Sequence, residues 1–288
     1  VEASPIKQLD SYRLEVKPMT EADIPKLHEL TISVGWPHRP EDWALAIDLG
    51  RGIFAADEIG RVVGSAMWFR AEPNLAVIGM MIITPRLQEH GAGRWMMDHL
   101  VADIGQRDMV LNSTKAAFRL YRAVGFQPGL TVWQHQGIVV DSPVVPPGAR
   151  TMRPGDEAAI RSLDIAAFSA ERRALFDRLM TMSEGTVIER NGEITGYGLC
   201  RRFGRGHVIG PVVASSQDDA VALIAPHVAA HAGTFVRLDT RETEGPLRDY
   251  LVASGIGYFD TVTSMWKGNE RIRSGPAHTF ALASHSFG

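Results

Sequence analysis

One cysteine in 288 residues, Cys200, removes the internal disulfide from the ways this chain can hold a fold, and with it any need for an oxidising compartment. Long apolar runs are missing as well. The run Ala76 to Ile83 stops after one strand's length, whereas a bilayer crossing takes ~20 apolar residues in succession. The opening stretch from Val1 to Asp10 is polar, carries Glu2 and Lys7, and does not read as a signal peptide. Charge of one sign is not in surplus: 30 Lys and Arg face 33 Asp and Glu, a formal net charge of -3. A general nucleic-acid binder needs extra cations to displace counterions from phosphates. The sequence also has no Gly-x-Ser-x-Gly elbow, no Gly-Lys-Ser/Thr phosphate loop and no Gly-x-Gly-x-x-Gly fingerprint, which excludes serine-hydrolase, P-loop and dinucleotide readings. His227 and His231 have the spacing of a metal pair, but Val228 stands where His-Glu-x-x-His has its glutamate, so no metal is expected. What remains is a cytoplasmic protein with neither a nucleic-acid nor a membrane partner.

Apolar residues make up 45% of the chain, enough for ordinary cores, and the length predicts about two domains. The chain echoes itself at about half its length. Lys17-Pro18 with Glu21, Ala22, Ile24 and Leu27 returns as Arg153-Pro154 with Glu157, Ala158, Ile160 and Leu163. Val77-Ile78-Gly79 returns as Val208-Ile209-Gly210, and Gly125-Phe126 as Gly255-Ile256. Three echoes in one order indicate an ancestral domain written twice. Between the copies, Pro143, Pro146, Pro147 and Gly148 break regular ladders. The expectation is therefore a domain over 1–140, a linker over 141–149, a second domain over 150–268 and a tail over 269–288.

In the first copy, Ile24, Leu27, Leu30 and Val34 lie at helical spacing behind Thr20, a candidate N-cap. Ile53 to Asp57 and Val62 to Arg70 read as strands around a turn at Gly60, and Ala76 to Thr84 as a third strand ended by Pro85. A helix follows over Gly93 to Ile104, a strand over Met109 to Leu111, a helix over Lys115 to Val124 and a strand over Leu130 to Val140. This order predicts a layered α/β domain with a central sheet.

The stretch from Ile82 to Arg94 is a strand that breaks at Pro85 into a loop with Gly91 and Gly93 and opens a helix. Amides in such a first turn have no intrahelical acceptor, and the helix dipole adds positive charge, so the segment is suited to an anion. The glycines let main chain approach a diphosphate, although an ordinary turn would read the same way. Gln88-Glu89-His90-Gly91-Ala92-Gly93 resembles the acetyl-CoA loop Gln/Arg-x-x-Gly-x-Gly/Ala of the GCN5-related N-acetyltransferase (GNAT) superfamily. Leu120-Tyr121-Arg122-Ala123-Val124-Gly125-Phe126, downstream, resembles that family's Leu-Tyr-x-x-x-Gly-Phe segment.

The resemblance implies two tandem GNAT-like domains, each a mixed, mostly antiparallel sheet flanked by helices, and an N-acetyltransferase using acetyl-CoA as co-substrate. It implies that backbone groups of Ile82 and Ile83 pair with the pantetheine arm as an added strand. The segment Gln88, Glu89, His90, Gly91, Ala92, Gly93 and Arg94 would hold the pyrophosphate. Tyr121 would protonate the departing thiolate, since a phenol is protonated at neutral pH. The acceptor would be an amine-bearing small molecule or peptide. Its base is open, with Glu72, His38 and His90 as candidates. The segment Gly35 to Trp43 carries two tryptophans, and Trp36, His38, Trp43 and Glu72 are candidate acceptor contacts. In the second copy, Asp219, Ala222 and Ile224 stand where Gln88, Gly91 and Gly93 stand in the first, and Leu251 replaces Tyr121. That copy is expected to be degenerate, to cover the acceptor cleft or to hold a homodimer. The alternatives are a non-catalytic acyl-CoA sensor and a purely structural tandem domain.

Overall fold

The computed structural model describes residues 4–9, 12–88, 90–141, 143–269 and 275–288. The first half runs β1 (Ile6–Leu9), β2 (Tyr12–Pro18), α1 (Ile24–Ser33), α2 (Pro40–Leu49), β3 (Gly50–Ala56), β4 (Val62–Ala71), β5 (Leu75–Ile83), α3 (Ala92–Ile104), β6 (Asp108–Ser113), α4 (Phe118–Val124) and β7 (Gln127–Ile138). The second half runs β8 (Arg150–Thr151), α5 (Glu157–Phe168), α6 (Arg173–Met182), β9 (Glu184–Arg190), β10 (Glu193–Phe203), β11 (Gly206–Ala214), α7 (Gln217–Ala230), β12 (Phe235–Thr240), α8 (Pro246–Ala253), β13 (Gly257–Lys267) and β14 (His278–Ala281). The mixed α/β class read from the sequence holds, and the described residues between β7 and β8 form no regular element.

Local chemistry explains several of these elements. Thr20 opens a one-turn 3-10 segment ahead of α1, its amide and hydroxyl both donating to Asp23 Oδ2, at 3.0 and 2.8 Å. The helix α2 was not expected, because Pro37 and Pro40 read as loop breakers. Pro40 instead occupies the first helical turn, where a missing N–H costs nothing, and the Arg39 amide donates to Asp42 Oδ2 at 2.9 Å.

The strands form one 14-stranded sheet in the order β1-β2-β3-β4-β5-β6-β13-β7-β12-β11-β10-β9-β8, with β14 added beside β11. The halves are not separate sheets. The second half's β13 lies antiparallel between β6 and β7 of the first, Met265 opposite Leu111 on one side and Val262 opposite Val132 on the other. Reciprocally, β7 pairs with β12, Leu238 opposite His135. Each half thus lends its last long strand to the other. The apolar core follows the exchange, with Trp43, Phe69 and Val77 of the first half in one cluster with Phe176, Tyr197 and Phe287 of the second.

Candidate active site

The strands β5 and β6 run parallel and pair only from Leu75 opposite Asp108 to Ile78 opposite Leu111. Beyond Ile78 they part, while β5 continues to Ile83 along β4. The far edge of β5 is therefore a row of unpaired backbone groups, suited to an extended ligand. Thr84 N donates to Val63 O at 2.9 Å. Strand alternation from that bond turns Ile83 to the free edge and Ile82, opposite Ser65, toward β4. Part of that edge is already engaged, since Gln88 Nε2 donates to Ile83 O at 2.9 Å. Where the strands part, Met80 takes a φ of 50, and Ser65 Oγ donates to its carbonyl at 2.7 Å.

From this edge the chain turns through a 3-10 segment, Pro85–Leu87, into α3. Gly91 caps the helix at a φ of 81, a left-handed conformation that favours glycine. The first intrahelical bond closes from Trp95 N to Gly91 O at 3.2 Å, so the amides of Ala92, Gly93 and Arg94 precede any intrahelical acceptor. Gly93 serves packing, because a Cβ there would stand 3.1 Å from Leu120 Cδ2 of α4. The Arg94 side chain is bound to Asp98 Oδ1 at 2.8 Å and to Ala123 O at 3.2 Å, leaving its backbone for an anion. His90 is exposed in the turn, and Glu89 lies outside the described residues. Lys7 of β1 was missed: its Nζ lies 3.9 Å from where a Cβ on Gly91 would stand, bringing a cation beside the loop. Only the pairing of β1 with β2 reveals that proximity.

At the parting of β5 and β6 lies a cavity of about 240 Å³. Tyr121 of α4 lines it, buried and edge-on to Phe126 at 5.9 Å. Burial pushes the phenol's pKa upward, so it stays a proton donor. Trp36 and His38 also line the cavity, their rings 5.5 Å apart, with His38 edge-on to Phe203 of β10 at 5.1 Å. Desolvation lowers the His38 pKa to about 4, which keeps the ring neutral near pH 7. Three sequence candidates are not here, His90 being exposed in the turn before α3. Trp43 is fully buried in the core on α2, its Nε1 3.5 Å from Thr31 Oγ1. Glu72, just after β4, forms an ion pair with Arg70, while its backbone amide and carbonyl bond with Glu171.

No sequence pattern signals what closes the far wall. Ser284, His285 and Ser286, following β14, line the same cavity with Arg237 of β12. Asn112 Nδ2 of β6 donates to His285 O at 2.9 Å, and Ser286 lies against Gly79, where a Cβ would be 2.7 Å from the serine's Cβ. Asp239 is wholly buried and takes Arg237 Nε and Nη2 at 2.8 to 3.1 Å. His285 Nε2 lies 3.3 Å from Asp239 Oδ1. The pKa of Asp239 is held low, Arg237 and His285 outweighing its desolvation.

The equivalent gap of the second half is filled by the chain itself. The parallel strands β11 and β12 pair only at His207 opposite Val236 and Val208 opposite Arg237. Beyond that, β14 lies antiparallel on β11, Val213 opposite Thr279, and Leu282 N donates to Asp239 O at 2.9 Å. The N-terminus of α7 is satisfied internally too. Ser216 Oγ accepts from Asp219 N at 3.1 Å, and Arg190 holds the Asp219 carboxylate. Leu251 is buried in the core, and the neighbouring Tyr250 donates its hydroxyl to Val144 O at 2.8 Å.

Comparison with known proteins agrees on the fold and family. The acetyltransferase (GNAT) domain family matches residues 50–128 and, through a second member, residues 160–281. A Bacillus subtilis protein described as an uncharacterised N-acetyltransferase, YitH, is 26% identical over 278 residues, covering 91% of this chain and 97% of its own. Among solved structures, a GCN5-related N-acetyltransferase from Sphaerobacter thermophilus superposes with a TM-score of 0.64 at 18% identity, over 91% of this chain and 98% of that one. A tandem GNAT protein of the clavulanic acid biosynthesis pathway superposes at 0.62 with 15% identity, over 89% and 99% of the two chains.

Proposed function

Since the chain belongs to the GNAT acetyltransferase family as a tandem of two such domains, an acyltransferase class whose enzymes take acetyl-CoA as co-substrate, we propose that its first half acetylates a primary amine of a small molecule by direct attack in a ternary complex. The single observation that supports this most is the continuity of three features: an unpaired β5 edge, an uncapped α3 N-terminus at one end of it, and Tyr121 in the cavity at the other. Met81 and Ile83 would bind the pantetheine arm. The amides of Ala92, Gly93 and Arg94, with Gly91 and Lys7, would hold the diphosphate. Tyr121 O–H would then give its proton to sulfur as the C–S bond breaks. On this reading residues 1–140 carry the coenzyme chemistry, and residues 150–268 form a degenerate copy whose tail completes the acceptor wall. Trp36 and His38 would contact the acceptor.

The test joins calorimetry with coenzyme A to free-thiol release over a panel of amino acids, polyamines and amino sugars. Wild-type protein should bind the coenzyme and release thiol with at least one amine. Tyr121→Phe should lower kcat about 100-fold with coenzyme affinity unchanged. Gly91→Val should weaken coenzyme binding about tenfold through the left-handed strain, near 1–2 kcal/mol. Coenzyme binding without thiol release for any amine would point to a sensor, and no heat at all would overturn the site.

A further inference from the structure

The proposed chemistry needs a group to take a proton from the acceptor, because an alkyl ammonium with a pKa near 10.4 has no lone pair to attack with. Five titratable side chains among the described residues line the cavity: His38, Tyr121, Arg237, Asp260 and His285. Four of them are poorly suited to be that base. Tyr121 is a donor held protonated by burial. Arg237 has no lone pair to offer and is fixed on Asp239. Asp260 is exposed and drawn to Lys115 Nζ at 3.5 Å. His38 is desolvated, faces the cations Arg237 and Arg201, and binds a proton weakly.

His285 differs in how it is held. Its carbonyl is fixed by Asn112, Ser286 beside it rests on Gly79, and the Phe287 ring stands edge-on to Phe69 at 4.8 Å. Arg172 Nη1 fastens the following turn through Phe287 O at 3.1 Å and Gly288 O at 2.8 Å. The Asp239 carboxylate lies 3.3 Å from Nε2, a buried nitrogen with no hydrogen bond among the described residues, and Nδ1 is the nitrogen taken to face the cavity. The groups facing this ring are Asp239 and Arg237 from β12 and His38 from the loop before α2. A buried carboxylate this close to an imidazole stabilises the imidazolium that forms on proton uptake.

Resting on amine acetylation at this cavity, we infer that His285, carried in by the second half's tail and set by Asp239, is the general base of the first half's reaction. The ammonium gives one proton to His285 Nδ1. The freed lone pair forms the C–N bond at the thioester carbonyl, and the C–S bond breaks with sulfur taking the Tyr121 proton. The nitrogen's second proton restores Tyr121, and His285 passes the first to solvent. Asp239 is a positioning residue in this scheme.

The test uses two acceptors of similar shape, ethylamine, an ammonium at pH 7, and 2,2,2-trifluoroethylamine, which is largely neutral there, each at saturating acetyl-CoA. His285→Gln should slow thiol release with ethylamine about 100-fold or more and with the fluorinated amine by less than about fivefold, because the latter arrives deprotonated. Calorimetry with coenzyme A should give the wild-type heat for this variant, showing that the fold and coenzyme site persist. Asp239→Asn should show the same selectivity in weaker form. Equal losses with both amines, or no loss with either, would overturn the assignment of His285. Wild-type protein that releases thiol with neither of these amines nor with any amine of the panel would instead overturn the transferase reading beneath it.

Discussion

Desolvation governs two of the protein's histidines, His38 and His207. His38 has a pKa of about 4 and an unpartnered, buried Nδ1, and His207 is lowered to about 4 by partial burial and its stacked neighbour His231, whose ring is 3.6 Å away. In the unfolded chain both would titrate near 6.5. As pH falls from 6.5 toward 4 the unfolded chain takes up protons that the folded protein refuses, so stability is complete above that window and declines through it. For His38 the decline should reach roughly 2 kcal/mol at pH 5. The carboxylates Asp42, Asp57 and Asp239, whose pKa values the fold lowers through Arg39, Arg61 and Arg237, act the same way but only below about pH 4. Urea midpoints should therefore fall between pH 7.5 and pH 5, and His38→Gln should narrow the difference. Identical midpoints would show that His38 is hydrated in solution. The sequence made His38 visible only as a polar residue between tryptophans; its burial depends on Phe203, which lies far along the chain.

At the scale of elements, the segment from β14 onward does two jobs that no local pattern announced. Its strand occupies the gap between β11 and β12, and its following turn rests on β5 at Gly79. Four residues of strand and an irregular turn have no period to read. The proposed diphosphate loop could be read because its residues, Gln88 to Arg94, are consecutive, whereas the proposed acceptor wall is assembled from residues distant in sequence. The helix α2 was hidden for another reason, since a proline within a helix's first turn and a proline in a loop look alike. Gly79→Ala tests the tail's docking. The new Cβ would lie 2.7 Å from Ser286 Cβ and 2.8 Å from Ser286 O, too near for either to remain. The tail should lift, with kcat/KM for the acceptor falling about tenfold or more while the α3 loop still binds coenzyme A. Limited proteolysis should show new cleavage after Leu282. Unchanged kinetics would mean that the tail shapes the fold and not the reaction.

At the scale of the whole molecule, duplication was readable from the echoes of Lys17-Pro18 and Val77-Ile78-Gly79, but strand exchange was not. An inserted β13 obeys the same alternation as a β7 folded back on its own half, and only register with distant partners separates the two. The exchange has an energetic consequence. Removing the second half leaves β6 and β7 of the first without the strand between them, and strips Trp43 and Phe69 of their neighbours Phe176 and Phe287. Within the second half, a buried ionic cluster secures the tail to α5 and β10. Arg172 pairs with Asp164 at 2.8 Å, Tyr197 donates to the same carboxylate, and the guanidinium reaches the tail's carbonyls. Breaking such a pair from one side costs about 3–5 kcal/mol. Neither half then has a complete sheet or a complete core of its own, and the two should melt together. Scanning calorimetry should show one transition whose van't Hoff and calorimetric enthalpies agree. A chain ending at 141 should be unfolded alone and recover native circular dichroism when coexpressed with 143–288. Two separate transitions, or a first half that folds and binds coenzyme A unaided, would mean that the exchanged strands are dispensable and that each copy closes on itself.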